Sequence, residues 1–208
     1  MKVKITTLFL LLLGVSISLP AQGLFRAGLV LGLNASQING DNIAGYNKLG
    51  LRGGVEGIIV LGEKADVSVG ILFSQRGSLQ KASPSIPIRN VLHLNFIEVP
   101  VLFTYRDWLS ETEDYYRVSA SLGAAYGRLI NYRIENFGQV GDIVTEAANF
   151  SDNDVALVAG LSYYTGPHFS FSLYYTRSLT PLYNNRKHMG LTYSLIGYFL
   201  SFQTKYVF

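Results

Sequence analysis

Beyond residue 22 the apolar residues of this chain recur at every second position, and the positions between them hold mainly Gly, Ser, Ala and Thr. A period of two sends successive side chains to opposite faces of an extended strand. In FRAGLVLGLN (25–34), Phe25, Ala27, Leu29, Leu31 and Leu33 share one face, and Arg26, Gly28, Val30, Gly32 and Asn34 share the other. The alternation returns in 51–60, 67–76, 92–105, 116–127, 155–164, 169–175 and 194–208, which makes eight strands. Their connections also alternate. Segments 35–48, 77–91, 128–153 and 178–191 are long and polar, whereas 61–66 and 165–168 are short turns and 106–114 is moderate and charged. Such a meander predicts one all-β domain, an eight-stranded antiparallel up-and-down barrel whose two ends face different compartments.

The composition of the second face decides between water and lipid. A soluble barrel keeps apolar residues inside and covers its outside with Lys and Glu. A membrane barrel turns its large apolar residues to lipid and fills a narrow lumen with small or polar ones. Only 15% of the residues are charged against 49% hydrophobic, and the second face is small rather than charged. The aromatics fall in two groups. Tyr105, Trp108, Tyr115, Tyr116, Tyr163, Tyr164, Phe169, Tyr206 and Phe208 lie near the short turns; Tyr126, Tyr132, Tyr175, Tyr183 and Tyr193 lie towards the long loops. Two belts are what a barrel needs at its two membrane interfaces. The expected fold is therefore a transmembrane β-barrel. Tyr206 and Phe208 on one face at the C-terminus match the last-strand signal read by the outer-membrane assembly machinery.

The segment before the strands, MKVKITTLFLLLLGVSISLPAQ, has a basic start at Lys2 and Lys4, an apolar stretch from Ile5 to Leu19, and a small-residue cut after Ala21. It reads as a signal peptide over 1–21, with the barrel domain over 22–208. Without Lys2 and Lys4, 15 of the 17 basic residues remain against 14 acidic ones, a charge of about +1, so the basic balance of the whole chain is no argument for nucleic acid. The chain has no cysteine, which excludes disulfides and thiolate metal sites and argues against a lipoprotein. Outside the signal no apolar run is long enough for a spanning helix.

Four stretches carry a resemblance. The AQ ending of the signal, FRAGLVLGLNASQINGD, GLRGGVEGIIVLGEKADVSVGILFSQRGS and LNFIEVPVLFTYR resemble the PorT-type outer-membrane β-barrel proteins, over most of the mature chain but not its loops. The resemblance implies an eight-stranded outer-membrane barrel; the expected location is the outer membrane of a Gram-negative envelope, with both termini periplasmic. The founding member assists a dedicated protein-secretion system, but function does not follow from fold.

By strand parity the lumen receives Arg26, Arg52, Glu56, Arg76, Glu98, Arg117 and Lys205. Buried charges persist when paired, so these residues predict an ion-pair network filling the lumen. A symmetric turn at 61–66 would set Arg52 opposite Arg76 and Glu56 opposite Leu72, and a symmetric loop at 77–91 would set Glu98 near Gly70. Glu56 and Glu98 would then share a layer, with Arg52, Arg76 and Arg26 as their cations. In LHLNFIEVPVLFTY (92–105), Glu98 points inward, and Pro100 forecasts an irregularity because it cannot donate a ladder hydrogen bond.

Catalytic arrangements find little support. A carboxylate pair for glycoside hydrolysis needs an open cleft between the acids. A lipid-A-modifying enzyme needs a His–Ser pair; His93 and His188 near long loops, with Ser78 or Ser178, are the candidates, while His168 sits in a short turn. The three histidines lack metal-ligand spacing. Asp142, Glu146, Asp152 and Asp154 lack calcium-loop spacing. GLRGG and GLNASQING precede no helix and are not phosphate loops. The expected partners are outer-membrane lipid and lipopolysaccharide, the assembly machinery and a protein of an envelope complex, with no cofactor. The expected role is a non-enzymatic barrel, structural or part of a larger envelope or secretion assembly; the rivals are a narrow pore or secretion accessory, and a lipid-A-modifying enzyme.

Overall fold

The computed structural model describes residues 24–41, 43, 45–82, 89–111, 114–135 and 146–208. The expected signal peptide, its cleavage point and Asp142 lie outside them. Eight strands close into one barrel, each hydrogen-bonded to its neighbours in sequence and β1 to β8. They are β1 (Phe25–Asn39), β2 (Lys48–Val60), β3 (Ala65–Gln80), β4 (Asn90–Leu109), β5 (Tyr116–Glu135), β6 (Asn153–Tyr164), β7 (Phe169–Ser178) and β8 (Ile196–Val207). All pairings are antiparallel. Closure satisfies every strand edge, which a sheet in hydrocarbon requires.

The outward face is the apolar one. Leu31, Leu122 and Leu161 are 68%, 65% and 67% exposed, and Leu51, Val55, Ile71, Phe103, Leu157, Phe171 and Phe202 are exposed with them. In water so large an apolar surface would aggregate; against lipid tails it is at home. That orientation excludes the soluble barrel. The belts form at both ends. Tyr105, Trp108, Tyr163, Phe169, Tyr206 and Phe208 are exposed near the short turns, and Tyr126, Tyr132, Tyr175 and Tyr193 near the long loops. Tyr183 departs from this scheme. It is fully buried, and its hydroxyl accepts hydrogen bonds from the backbone N–H of Gly190 at 2.8 Å and Leu191 at 3.2 Å.

Several strands outrun their apolar alternation. β4 and β5 have 20 residues each, whereas a tilted strand crosses the hydrocarbon in about 9–11. In β5 the surplus lies on the long-loop side. In β4 it lies mainly at the short-turn end, where residues 106–109 extend the strand into the expected turn 106–114. Parts of 35–48, 77–91 and 128–153 that read as loop are strand as well. There the barrel interior becomes apolar: Ile38, Leu92, Leu94, Phe96, Leu129, Ala147, Phe150, Tyr183 and Leu195 form one buried cluster. In place of a plain polar loop, 178–191 contains a helical turn, Asn185–His188, capped by the Asn184 side chain accepting from Arg186 N–H.

The register differs from the symmetric-turn reading by two residues. Arg52 pairs with Ser74 and Glu56 with Gly70, because the β2–β3 turn is tight, Leu61 N–H donating to Ala65 C=O at 2.9 Å. Glu98 pairs with Leu72 rather than Gly70. At Pro100 the irregularity is a gap without a slip. Val69 pairs with Val101 and Leu72 with Glu98, but no pair forms between them. A Cβ on Gly70 would sit 3.3 Å from Pro100 Cγ, so the glycine leaves room for the ring. The bulge of this sheet lies elsewhere, where the β4–β5 register shifts between Asn95 and Phe96 and Ile130 is left unpaired.

Candidate functional site: the ion-paired lumen

Strand parity delivers the charged side chains inward, and the barrel shear decides which ones meet. In the half of the lumen nearer the long loops, Glu98 is wholly buried and is shared by two arginines. Arg52 Nη1 donates to Glu98 Oε2, and Arg76 Nη2 lies against Glu98 Oε1. Arg76 Nη1 donates to Asp154 Oδ2 at 2.6 Å. The four groups hold two positive and two negative charges, a neutral cluster. Neutral donors complete it. Ser178 Oγ donates to Asp154 Oδ2 at 3.0 Å, and Arg52 reaches Ser74 Oγ at 3.3 Å. Asn34 Nδ2 also donates to Ser74 Oγ, at 2.9 Å, while Ser201 Oγ donates to Asn34 Oδ1 at 2.7 Å. The Arg76 guanidinium carbon lies 4.5 Å from the Phe96 ring centre and 4.3 Å from that of Phe199. Charge-assisted hydrogen bonds and ring contacts together offset the cost of taking these ions out of water.

A second layer lies closer to the short turns, where Lys205 Nζ meets Glu56 Oε1 at 2.7 Å, both side chains buried. Glu56 and Glu98 therefore occupy separate layers, Glu56 with Lys205 and Glu98 with Arg52 and Arg76. At the short-turn mouth Arg106 Nη2 meets Asp66 Oδ2 at 2.5 Å. Arg26 does not join the carboxylates; it is exposed beside a mouth cavity of about 580 Å³ that Arg106, Tyr116, Tyr164 and His168 also line. Arg117 is half-buried at the same end, its Nη2 donating to Ser110 Oγ at 3.3 Å. Of the seven predicted lumen residues, then, five are ion-paired inside and two stand at the mouth.

Asp154, Asp66 and Arg106 were missed as lumen charges. Each lies one position beyond the apolar alternation: Asp66 in the expected turn 61–66, Arg106 in 106–114, Asp154 beside the loop 128–153. Parity continued by one residue would have found them. The acids considered for calcium have protein partners instead: Asp152 pairs with Arg128 at 2.9 Å, and Glu146 accepts from Asn149 at 2.7 Å. Among the described residues, none of the three histidines hydrogen-bonds a serine: His93 faces Glu135 at 3.7 Å, His168 Nδ1 lies 2.7 Å from Val207 C=O, and His188 packs near the Tyr183 ring.

Between the ionic cluster and the apolar cap lies a cavity of about 20 Å³ lined by Arg76, Asp154, Ser36 and Ser178, room for about one water. Beyond the strands, burial pushes the Asp41 carboxyl up from its usual range. In the β2–β3 turn, a hydrogen bond to Asp107 raises the Lys64 ammonium. At the C-terminus Tyr206 and Phe208 meet edge to face at 5.2 Å on the lipid side. Both ends of the barrel lie on the short-turn side, Phe208 N–H donating to Ala27 C=O at 2.9 Å.

Residues 20–184 match the family model described as "Outer membrane protein beta-barrel domain". The attachment invasion locus protein Ail of Yersinia pestis is similar in structure: TM-score 0.50, 17% identity, 88% of this chain and 98% of that chain covered. At that identity the likeness concerns the fold alone. The N-terminal barrel of Pseudomonas aeruginosa OprF matches with a TM-score of 0.38 at 10% identity, covering 88% of this chain and 97% of the other. No curated protein matches in sequence.

Proposed function

Because the chain belongs to the outer-membrane β-barrel domain family, and so resides in the outer membrane, we propose that it works there as a sealed, non-enzymatic barrel. It serves as a structural element or as the membrane-embedded subunit of a larger envelope assembly. In this reading both termini are periplasmic and the long loops face outward. The lipid face meets phospholipid and lipopolysaccharide, and Tyr206 with Phe208 is read by the assembly machinery.

The observation that carries this reading is the neutral Arg52–Glu98–Arg76–Asp154 cluster beneath the apolar cap. A permeating ion would have to break charge-assisted hydrogen bonds in a low-dielectric space and then pass Tyr183 and Leu195, both fully buried. Reconstituted in planar bilayers, the protein should show no stable unitary conductance. A reproducible conductance step would overturn the sealed lumen.

Within the family we place the chain with the PorT-type proteins, on the IEVPVLFTY strand and the two hairpin segments that carry that resemblance. A secretion-accessory role is the second reading, and the 580 Å³ cavity at the short-turn mouth favours it as a seat for a periplasmic protein. Affinity isolation from native outer membranes should return one constant partner. Return of barrel alone would leave the structural role standing and remove the accessory one.

A further inference from the structure

On the lipid-facing wall of the strands, one charge has no ion-pair partner among the described residues. Arg177 is on the outward face of β7, exposed, between Leu157 of β6 and Tyr198 of β8. Two other arginines on the strands near this rim have acids: Arg128 meets Asp152 at 2.9 Å and Arg133 meets Glu135 at 3.1 Å. Among the described residues Arg177 forms neither an ion pair nor a side-chain hydrogen bond. Asp41 acts electrostatically on Tyr198 but is itself buried and accepts from Ile43 N–H at 2.9 Å.

An arginine level with a lipid-facing leucine, at the edge of the apolar band, costs free energy unless an anion meets it. A belt of tyrosines marks the depth of that edge. Tyr175 precedes Arg177 by two residues on the same face, and Tyr46 meets the Tyr198 ring edge-on at 5.5 Å. The guanidinium fork matches a phosphate in shape and charge, and phenol hydroxyls beside it donate to phosphate or sugar oxygens. We propose that Arg177, with Tyr175, Tyr198 and Tyr46, forms a docking site for the phosphate of lipopolysaccharide on the outer wall of the barrel. The proposal rests on the long loops facing outward, since that places Arg177 in the lipopolysaccharide leaflet. It does not depend on whether the lumen conducts.

The test uses the full chain refolded in phosphatidylethanolamine vesicles, with lipopolysaccharide, phosphatase-treated lipopolysaccharide or phosphatidylglycerol added in separate arms. Lipopolysaccharide should raise the temperature at which the folded gel band disappears; the dephosphorylated form and phosphatidylglycerol should do so far less. That comparison needs no variant. Arg177→Gln should bind lipopolysaccharide about tenfold more weakly, the loss of one charge-assisted contact, and Arg177→Lys should keep most of the affinity. Arg128→Gln, at an arginine already paired with Asp152, should bind like the wild type. Equal stabilisation by the dephosphorylated lipid or by phosphatidylglycerol would overturn the site, as would wild-type affinity in Arg177→Gln. Protease cleavage of the long loops in intact cells checks the orientation separately.

Discussion

Glu98 shows how much a single position carries in this barrel. It is the carboxylate between two arginines and is wholly buried. Removing one partner of a buried ion pair leaves the other charge uncompensated and typically costs 3–5 kcal/mol. Glu98→Gln keeps the shape and loses the charge, so it should lower unfolding stability by about 3 kcal/mol, measured by urea titration in lipid vesicles. An unchanged midpoint would show that the arginines do not depend on Glu98. Lys64 makes the opposite case. It is exposed and meets Asp107 at 3.1 Å across a turn, where solvent screens the pair. Lys64→Ala should leave the midpoint unmoved. That Glu98 points inward was legible from period two alone. That it meets Arg52 and Arg76, and not Arg26, was not, because alternation gives a face but never a height.

At the scale of the element, strand type and orientation were readable while strand length and register were not. Alternation marks a strand only where one face meets lipid and the other the lumen. Past the membrane both faces meet polar surroundings or a local apolar cap, and the pattern fades although the ladder continues. β3 illustrates this through Gly77, which pairs with His93 at a backbone φ of +143°, a value that side-chain-bearing residues rarely adopt. An added Cβ would also fall on the carbonyl oxygen of Leu92. Gly77→Ala should therefore loosen the outer end of the β3–β4 pairing, seen as faster amide exchange from Leu92 to Leu94 and a loss of about 1–3 kcal/mol. Gly57→Ala is the matched control. Its Cβ would enter the lipid face with no neighbour nearer than Val69 C=O at 4.0 Å, and it should fold like the wild type. Equal effects from the two changes would refute the argument from backbone conformation.

The whole molecule is a closed ring of strands whose lipid-facing exterior and ion-paired interior depend on each other. Closure puts Glu98 next to Arg52 and Arg76, and those pairs fill a lumen too narrow for bulk water. Such a barrel should migrate anomalously in detergent gels until boiled, and circular dichroism should show mostly strand; a helical spectrum would overturn the architecture. Period two with small inward residues determined, by itself, the strand count, the face that meets lipid and the inward aim of Arg52, Glu56, Arg76, Glu98 and Lys205. Strands this short admit one side-chain period, and an oily exterior admits one solvent. Which charges meet, where the strands end and how the loops close over the lumen were decided only by the tertiary structure. Register, shear and the apolar cap around Tyr183 arise from contacts between residues far apart in the chain, and a local pattern does not record the height at which two distant strands are paired.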